Sequence, residues 1–587
     1  MFNLSNSVMT SSCKNQLKVR WVLPILLGVL FSLGDTIAAN NGKLIFNGFS
    51  FVITVVLLPV LFSLAFFVGE TCLHRFLGEL RFACHLNRRI GNIFARIENF
   101  IFCNSKVSSI AIIFAAILLF WISWMIWLYP GIYWSDTSQQ LLEYFGLVAL
   151  SDHHPFLMTV VLGLFASFGR FFLHSESAGL FLLVIFQCAV AVYYFSRLLW
   201  ELHDAGLKMH ACVALFLFIT IFPFIPLMFC SIAKDTFSCA FFLGFLLQLF
   251  LVYKSDGDCL RSPKTLLGIL FFASVASLTK RTTGYVVVFC LVSLCLAYRS
   301  RALFIRVVGV FTVFIGVVFV FFPRVILPAF EVAPGGKQEM VATLIQQVAH
   351  DVTFQGDSLS SEDKNLIDDF LLVNCDQIPS RYDWQIVDPI KERGLHNDSR
   401  LGDFISLWAK NTLKHPFGHL EAWLGLVDGW ITFRSDWQGT PNYMVVLTYS
   451  GWHDEGIERC VDWNDQITSG GTVAEKLFRT IQSIPVINCL FYRSFWATIV
   501  PFFLLFLLLG RFSGDRLKAL TLLMPIFASI IPLVITPVSI MGGEPTRYLF
   551  AIVCCSPFMM AAVFCDDATS PNIKRRPKSF PFLGSRS

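Results

Sequence analysis

Five short groups of ionisable residues sit at the ends of apolar runs, and their types suit acid–base and phosphate chemistry. Tyr133-Trp134-Ser135-Asp136 leads into Gln139, Gln140 and Glu143. A carboxylate at a lipid–water boundary beside aromatic rings suits a general base acting on a hydroxyl. The same residues suit a helix start, with Ser135 or Asp136 capping a helix that runs toward Tyr144. The two readings are compatible. Ser151-Asp152-His153-His154-Pro155 joins two imidazoles to a carboxylate, a set used in metal ligation and in proton transfer. Adjacent His residues project differently, so capping of the apolar run that follows is the plainer alternative. Lys234-Asp235, Lys280-Arg281 and Glu544-Pro545-Thr546-Arg547-Tyr548 bring in the cations. Arg offers forked donors matched to phosphate and Lys a point charge. Snorkelling to headgroups, or a local pair such as Lys234 with Asp235, would also account for them.

These groups depend on the apolar runs that carry them. The chain is 55% hydrophobic and only 14% charged, too few charges to cover a soluble protein of this length. Apolar runs at 22–38, 48–70, 108–129, 178–199, 211–230, 236–253, 265–279, 282–298, 303–323, 491–510, 518–540 and 548–564 are each read as a membrane span. A helix needs roughly 20 residues to cross. Lys14, Lys18 and Arg20 precede the first run, no small-residue cleavage site follows it, and it is read as a retained span rather than a signal peptide.

Orientation follows from Lys and Arg. Arg75, Arg81, Arg88, Arg89, Arg96 and Lys106 fill one linker; Arg299, Arg301 and Arg306 another; Arg511, Arg516 and Lys518 a third; and Lys574, Arg575, Arg576 and Lys578 the tail. All are expected on the cytoplasmic side, together with both termini. A thirteenth apolar run, 156–173, would put every later basic linker outside if it crossed. It is therefore expected to be a re-entrant or interfacial helix. The predicted organisation is a two-helix N-terminal segment with a basic linker (1–107), a transmembrane core (108–323) with a first outer loop at 131–177, an extracytoplasmic domain (324–490), C-terminal spans (491–564) and a basic tail (565–587).

The 324–490 region reads as mostly helical. Ser360 opens a capping pattern with Glu362 and Asp363, Trp408 and Leu413 follow apolar spacing, and Pro416 begins a further amphipathic segment from Leu420 to Ile431. Cys375 and Cys460 both fall there, where a disulfide is chemically permitted. No Walker A loop, HExxH or GxSxG is present, and no charge block suggests a nucleic-acid partner. The inner linkers are too short for a nucleotide-sugar domain.

The order of several short motifs resembles the GT-C superfamily of membrane glycosyltransferases, and more closely a family of uncharacterised bacterial polytopic proteins in that group. They are Tyr129-Pro130-Gly131 with Asp136 and Gln139; His154-Pro155 with Thr159 and Gly163; Lys234-Asp235; Arg281 with Gly284; Gln346-Gln347; Ser361-Glu362-Asp363-Lys364; Tyr382 with Asp388-Pro389; and Arg547-Tyr548. The resemblance implies an all-α polytopic fold of about 12 transmembrane helices, GT-C-like, in the plasma membrane. It implies a donor sugar on a polyprenyl phosphate and an envelope glycan, lipid or protein as acceptor. Asp136 would be the base, with Asp152 and His154 beside it in the chemistry. Lys234, Arg281 and Arg547 would hold the lipid phosphate, with Lys280, Tyr133, Gln139 and Glu544 completing the binding site. Members of the superfamily often carry paired acids where this chain has Ser135-Asp136. A divalent metal is therefore left open, with Asp152 or Glu544 as the second carboxylate. A glycan polymerase or ligase would share the phosphate site. A transporter would need polar residues at mid-span, and the ionisable groups gather at one end instead.

Overall fold

Long runs of Phe, Leu, Ile and Val leave no side chain able to satisfy backbone N–H and C=O groups. In an apolar surrounding only internal helical bonding does so. The computed structural model describes residues 19–46, 49–77, 84–102, 104–392, 394–434, 442–444, 460–462, 469–510, 516–537, 539 and 544–568, and the basic tail lies outside them. In chain order the main helices are α1 (Val22–Ala39), α2 (Phe49–Leu77), α3 (Cys84–Phe102), α4 (Lys106–Trp127), α5 (Ser135–Tyr144), α6 (Phe156–Phe168), α7 (Glu176–Asp204), α8 (Met209–Ile221), α9 (Phe224–Phe229) and α10 (Lys234–Lys254). They continue with α11 (Pro263–Thr279), α12 (Arg281–Ala297), α13 (Arg301–Ile315), α14 (Ala342–Gln355), α15 (Ser361–Phe370), α16 (Leu401–Lys414), α17 (Pro416–Ile431), α18 (Ser469–Gln482), α19 (Val500–Gly510), α20 (Arg516–Ile535) and α21 (Phe550–Ala568).

The architecture is that of an all-α polytopic membrane protein. Among the described residues nine helices are long and apolar enough to cross a membrane, and four apolar helices are shorter: Met209–Ile221, Pro263–Thr279, Arg281–Ala297 and Phe495–Gly510. The nine include Phe156–Leu173, which qualifies by length and composition alone. The expected continuous span at 211–230 is interrupted. Pro223 cannot extend α8, and the short α9 carries the chain back toward the strand at Ser231–Ile232.

Ion pairs mark the two ends of the bundle. At one end Lys106 at the start of α4 and Lys254 at the end of α10 both hold Glu201 near the end of α7, at 2.6 and 2.7 Å. Lys518 at the start of α20 meets Asp256 at 2.5 Å on the same end. The opposite end carries the 324–490 region. There the start of α7 is tied down by Asp462, which accepts from the Ser175 hydroxyl and the Ser177 N–H, both at 2.7 Å. The 156–173 rod touches this second end with both of its own ends: His154 reaches Lys234 at 3.2 Å, and Arg170 donates to the Cys460 carbonyl at 2.5 Å.

Two elements unreadable in the sequence position the site. β1 (Ile132–Tyr133) and β2 (Ser231–Ile232) form a two-residue parallel pair with Ile132 opposite Ser231 and Tyr133 opposite Ile232. The chain enters β1 through Gly131, whose φ of +133° and 2.7 Å clearance from the Ile232 side chain leave no place for a Cβ. The Thr137 hydroxyl then bonds the Ile232 carbonyl, and Gln140 bonds Thr159 at 3.0 Å, which fixes α5 against β2 and α6.

The 324–490 region has its own apolar core, including Ile345, Val348, Phe370 and Phe404. Ser360 caps α15 in reciprocal bonds with Asp363, and Pro416 stands in the first turn of α17, as their spacing predicts. The Cys375–Cys460 disulfide that the sequence permits is not formed. Cys375 packs in this core, whereas Cys460 packs in the main bundle core beside Arg170, so the two thiols belong to different packing units.

Candidate active site

The start of α5, the start of α10, the α11–α12 junction and the turn before α21 converge on one cavity of about 490 Å³. Asp136 stands in the first turn of α5, Lys234 and Asp235 in the first turn of α10, Lys280 between α11 and α12, and Arg547 in the turn Glu544–Leu549. Asp136 Oδ2 takes Lys234 Nζ at 2.6 Å and a guanidinium N–H of Arg547. Asp235, fully buried, takes Lys280 Nζ at 2.6 Å and lies 3.5 Å from Arg547. The guanidinium lies over the Trp134 and Tyr548 rings, 5.8 and 5.2 Å from their centroids. Three cations thus share two carboxylates on this side of the cavity.

His154 closes one side. Its Nδ1 lies 3.2 Å from Lys234 Nζ, and because an ammonium only donates, Nδ1 must accept. The ring proton is then on Nε2, which faces Asp136 Oδ1 at 3.9 Å. Burial, reinforced by Lys234, pushes His154 down to about 3, so the ring is neutral. Burial alone would raise the Asp136 carboxyl. Arg547 and Lys234 more than reverse that and hold it well below the usual carboxylate range.

The outer wall comes from the 324–490 region. Lys391, almost fully buried, spends its three donors on Glu339 Oε1 and Oε2 at 2.7 and 2.8 Å and on Asp388 at 2.7 Å. Burial opposes its charge, but Asp388 and Glu339 hold it above the ordinary lysine range. The sequence marked Asp388-Pro389 only as part of a motif and missed Glu339 and Lys391. The i, i+3 spacing of Asp388 and Lys391 was the one available signal.

Not every expected residue joins this cavity. Asp152 and Arg281 pair with each other at 2.5 Å and line a smaller, neighbouring cavity of about 130 Å³ with Phe156, Phe319, Phe322 and Leu327. Lys280 therefore occupies the position expected of Arg281. Tyr133 is buried in β1, and Gln139 lies 3.5 Å from Glu143 outside the cavity lining. Glu544 opens the turn that carries Arg547, but its side chain is outside the described residues. The metal pair left open in the sequence is not brought together: Asp136 and Asp152 face different cavities, each on its own cations. No group of three His, Cys, Asp or Glu gathers among the described residues. A divalent ion would have to displace Lys234 and Arg547 to reach Asp136 Oδ2.

No curated protein and no solved structure matches the chain. A family model described as a family of unknown function matches residues 146–576, a stretch that includes every cation of the cavity and stops ten residues short of Asp136. With well over half its length matched, the chain belongs to that family of unknown function, DUF6020.

Proposed function

We propose that the protein transfers a sugar from a polyprenyl-phosphate donor to an acceptor hydroxyl at the extracytoplasmic face of the membrane, as a GT-C-type glycosyltransferase. The observation that carries this reading is the meeting of Lys234, Lys280 and Arg547 from three helix ends around Asp136 and Asp235. Cations brought to the end of an apolar bundle suit the phosphate of a lipid whose tail stays in the membrane.

In the proposed step the acceptor oxygen attacks the anomeric carbon, and the bond from that carbon to the phosphate oxygen breaks with its electron pair. The polyprenyl phosphate departs stabilised by Arg547, Lys234 and Lys280. The acceptor proton passes to Asp136. A single displacement inverts the anomeric centre. Glu339, Asp388 and Lys391 would face the acceptor from the outer wall.

The test is reconstitution of the purified protein with polyprenyl-phosphate sugars and envelope acceptors. Wild type is expected to release polyprenyl phosphate with transfer of the sugar, and Asp136→Asn to abolish transfer while the protein remains inserted and folded. Full transfer by Asp136→Asn would remove the base from the proposal, and an absence of transfer from every lipid-phosphate sugar would remove the reaction.

A further inference from the structure

Under the function proposed above, on which this inference rests, Asp136 and the donor phosphate require the same two cations. Asp136 Oδ2 is occupied by Lys234 at 2.6 Å and by Arg547, and Oδ1 faces the Nε2–H of neutral His154 at 3.9 Å. Around them stand Asp235 and Lys280 from α10 and the α11–α12 junction, with His153 beside His154 and Glu339, Asp388 and Lys391 in the outer wall. A carboxylate gripped by an ammonium and a guanidinium has little affinity for a proton and is a poor base.

Both cations are already engaged. Lys234 serves Asp136 and His154, and Arg547 serves Asp136 and Tyr548 with Asp235 3.5 Å away. A phosphate entering the cavity competes with Asp136 for this set.

We infer that Asp136 is a donor-gated base. The cations that lock its carboxylate in the free protein are those the phosphate takes, so donor binding itself frees the carboxylate to accept the acceptor's proton. The order of events follows, donor first, with no activated hydroxyl in the empty site.

Linkage is reciprocal: if phosphate binding loosens the hold on Asp136, the charge on Asp136 must weaken phosphate binding. The probe is a short-chain dialkyl phosphodiester, whose single charge does not titrate over the working range. Its affinity is measured by calorimetry on wild type, Asp136→Asn and, as a second neutral variant, Asp136→Ser. The neutral variants are expected to bind it at least about tenfold more tightly, the effect of one unit of displaced protonation, although neither can transfer. Wild-type affinity should also rise as the pH falls toward about 4, and the neutral variants should lack that rise. Equal or weaker binding by the neutral variants, or a flat wild-type profile should neither variant fold, overturns the gating. Failure of every form to bind the phosphodiester overturns the phosphate site and with it the proposed function, an outcome distinct from binding without the gain.

Discussion

Arg547 carries more of the site than any other single side chain, because it touches Asp136 and Asp235 at once and lies over two aromatic rings. Replacing it with Ala leaves Asp136 to Lys234 and Asp235 to Lys280. Breaking a buried pair outright costs about 3–5 kcal/mol; with a lysine left on each carboxylate, Arg547→Ala should unfold at a lower temperature than wild type by a smaller loss than that. Transfer should fall by about 100-fold or more, the loss typical of removing one donor to a developing anion. Lys at this position keeps the charge but not the fork and should recover stability more than transfer. Asp428 on α17 shows the opposite case. It is fully buried, its one bond among the described residues is from Gln385 Nε2 at 3.2 Å, and burial lifts its carboxyl well above the usual range. The folded form therefore binds the proton more tightly than the unfolded chain. The stability this contributes is complete below the unfolded carboxylate range and is lost as pH rises toward the folded value. Asp428→Asn should flatten that part of the stability-versus-pH curve and raise the melting temperature at neutral pH, read by calorimetry across a pH series.

At the scale of elements, the β1–β2 pair brings the first outer loop to the start of α10, and through it Asp136 to Lys234. Gly131 admits the chain to β1 with a left-handed φ and no room for a side chain. Gly131→Ala adds strain of about 1–3 kcal/mol and pushes on Ile232, so the pairing should shift. The expected outcome is a lower melting temperature together with weaker phosphodiester binding, although the residue touches no part of the cavity. Unchanged binding in this variant would show that α5 holds Asp136 without the strand pair.

The whole molecule turns on which end each helix reaches. Both ends of the 156–173 rod contact the end that carries the 324–490 region, at Lys234 and at Cys460, which supports the interfacial reading drawn from charge parity. Single cysteines placed at Ser151 and His174 should therefore react with a membrane-impermeant thiol reagent from the same side of sealed vesicles. Labelling from opposite sides would make the rod a true span and invert every later linker. The separate cores of Cys375 and Cys460 predict that both thiols alkylate without prior reduction.

Composition and periodicity by themselves determined the all-α polytopic class, most of the apolar helices, the helix starts at Ser360 and Pro416, and the ionisable groups at their ends. Each of these is a local or bulk property: a helix in lipid needs only its own apolar length, and a cap only its neighbours. Three-dimensional packing decided which charges meet. Lys234 pairs with Asp136 rather than with adjacent Asp235, because successive residues in the first turn of α10 point in different directions. Arg281 turns to Asp152 in the smaller cavity, while its neighbour Lys280 reaches Asp235. A two-residue strand pair has no periodicity to detect, and Glu339 and Lys391 join the site only because a separately cored region folds over the bundle end. Contacts between residues a hundred or more positions apart are written in shape and burial, which no window along the chain contains.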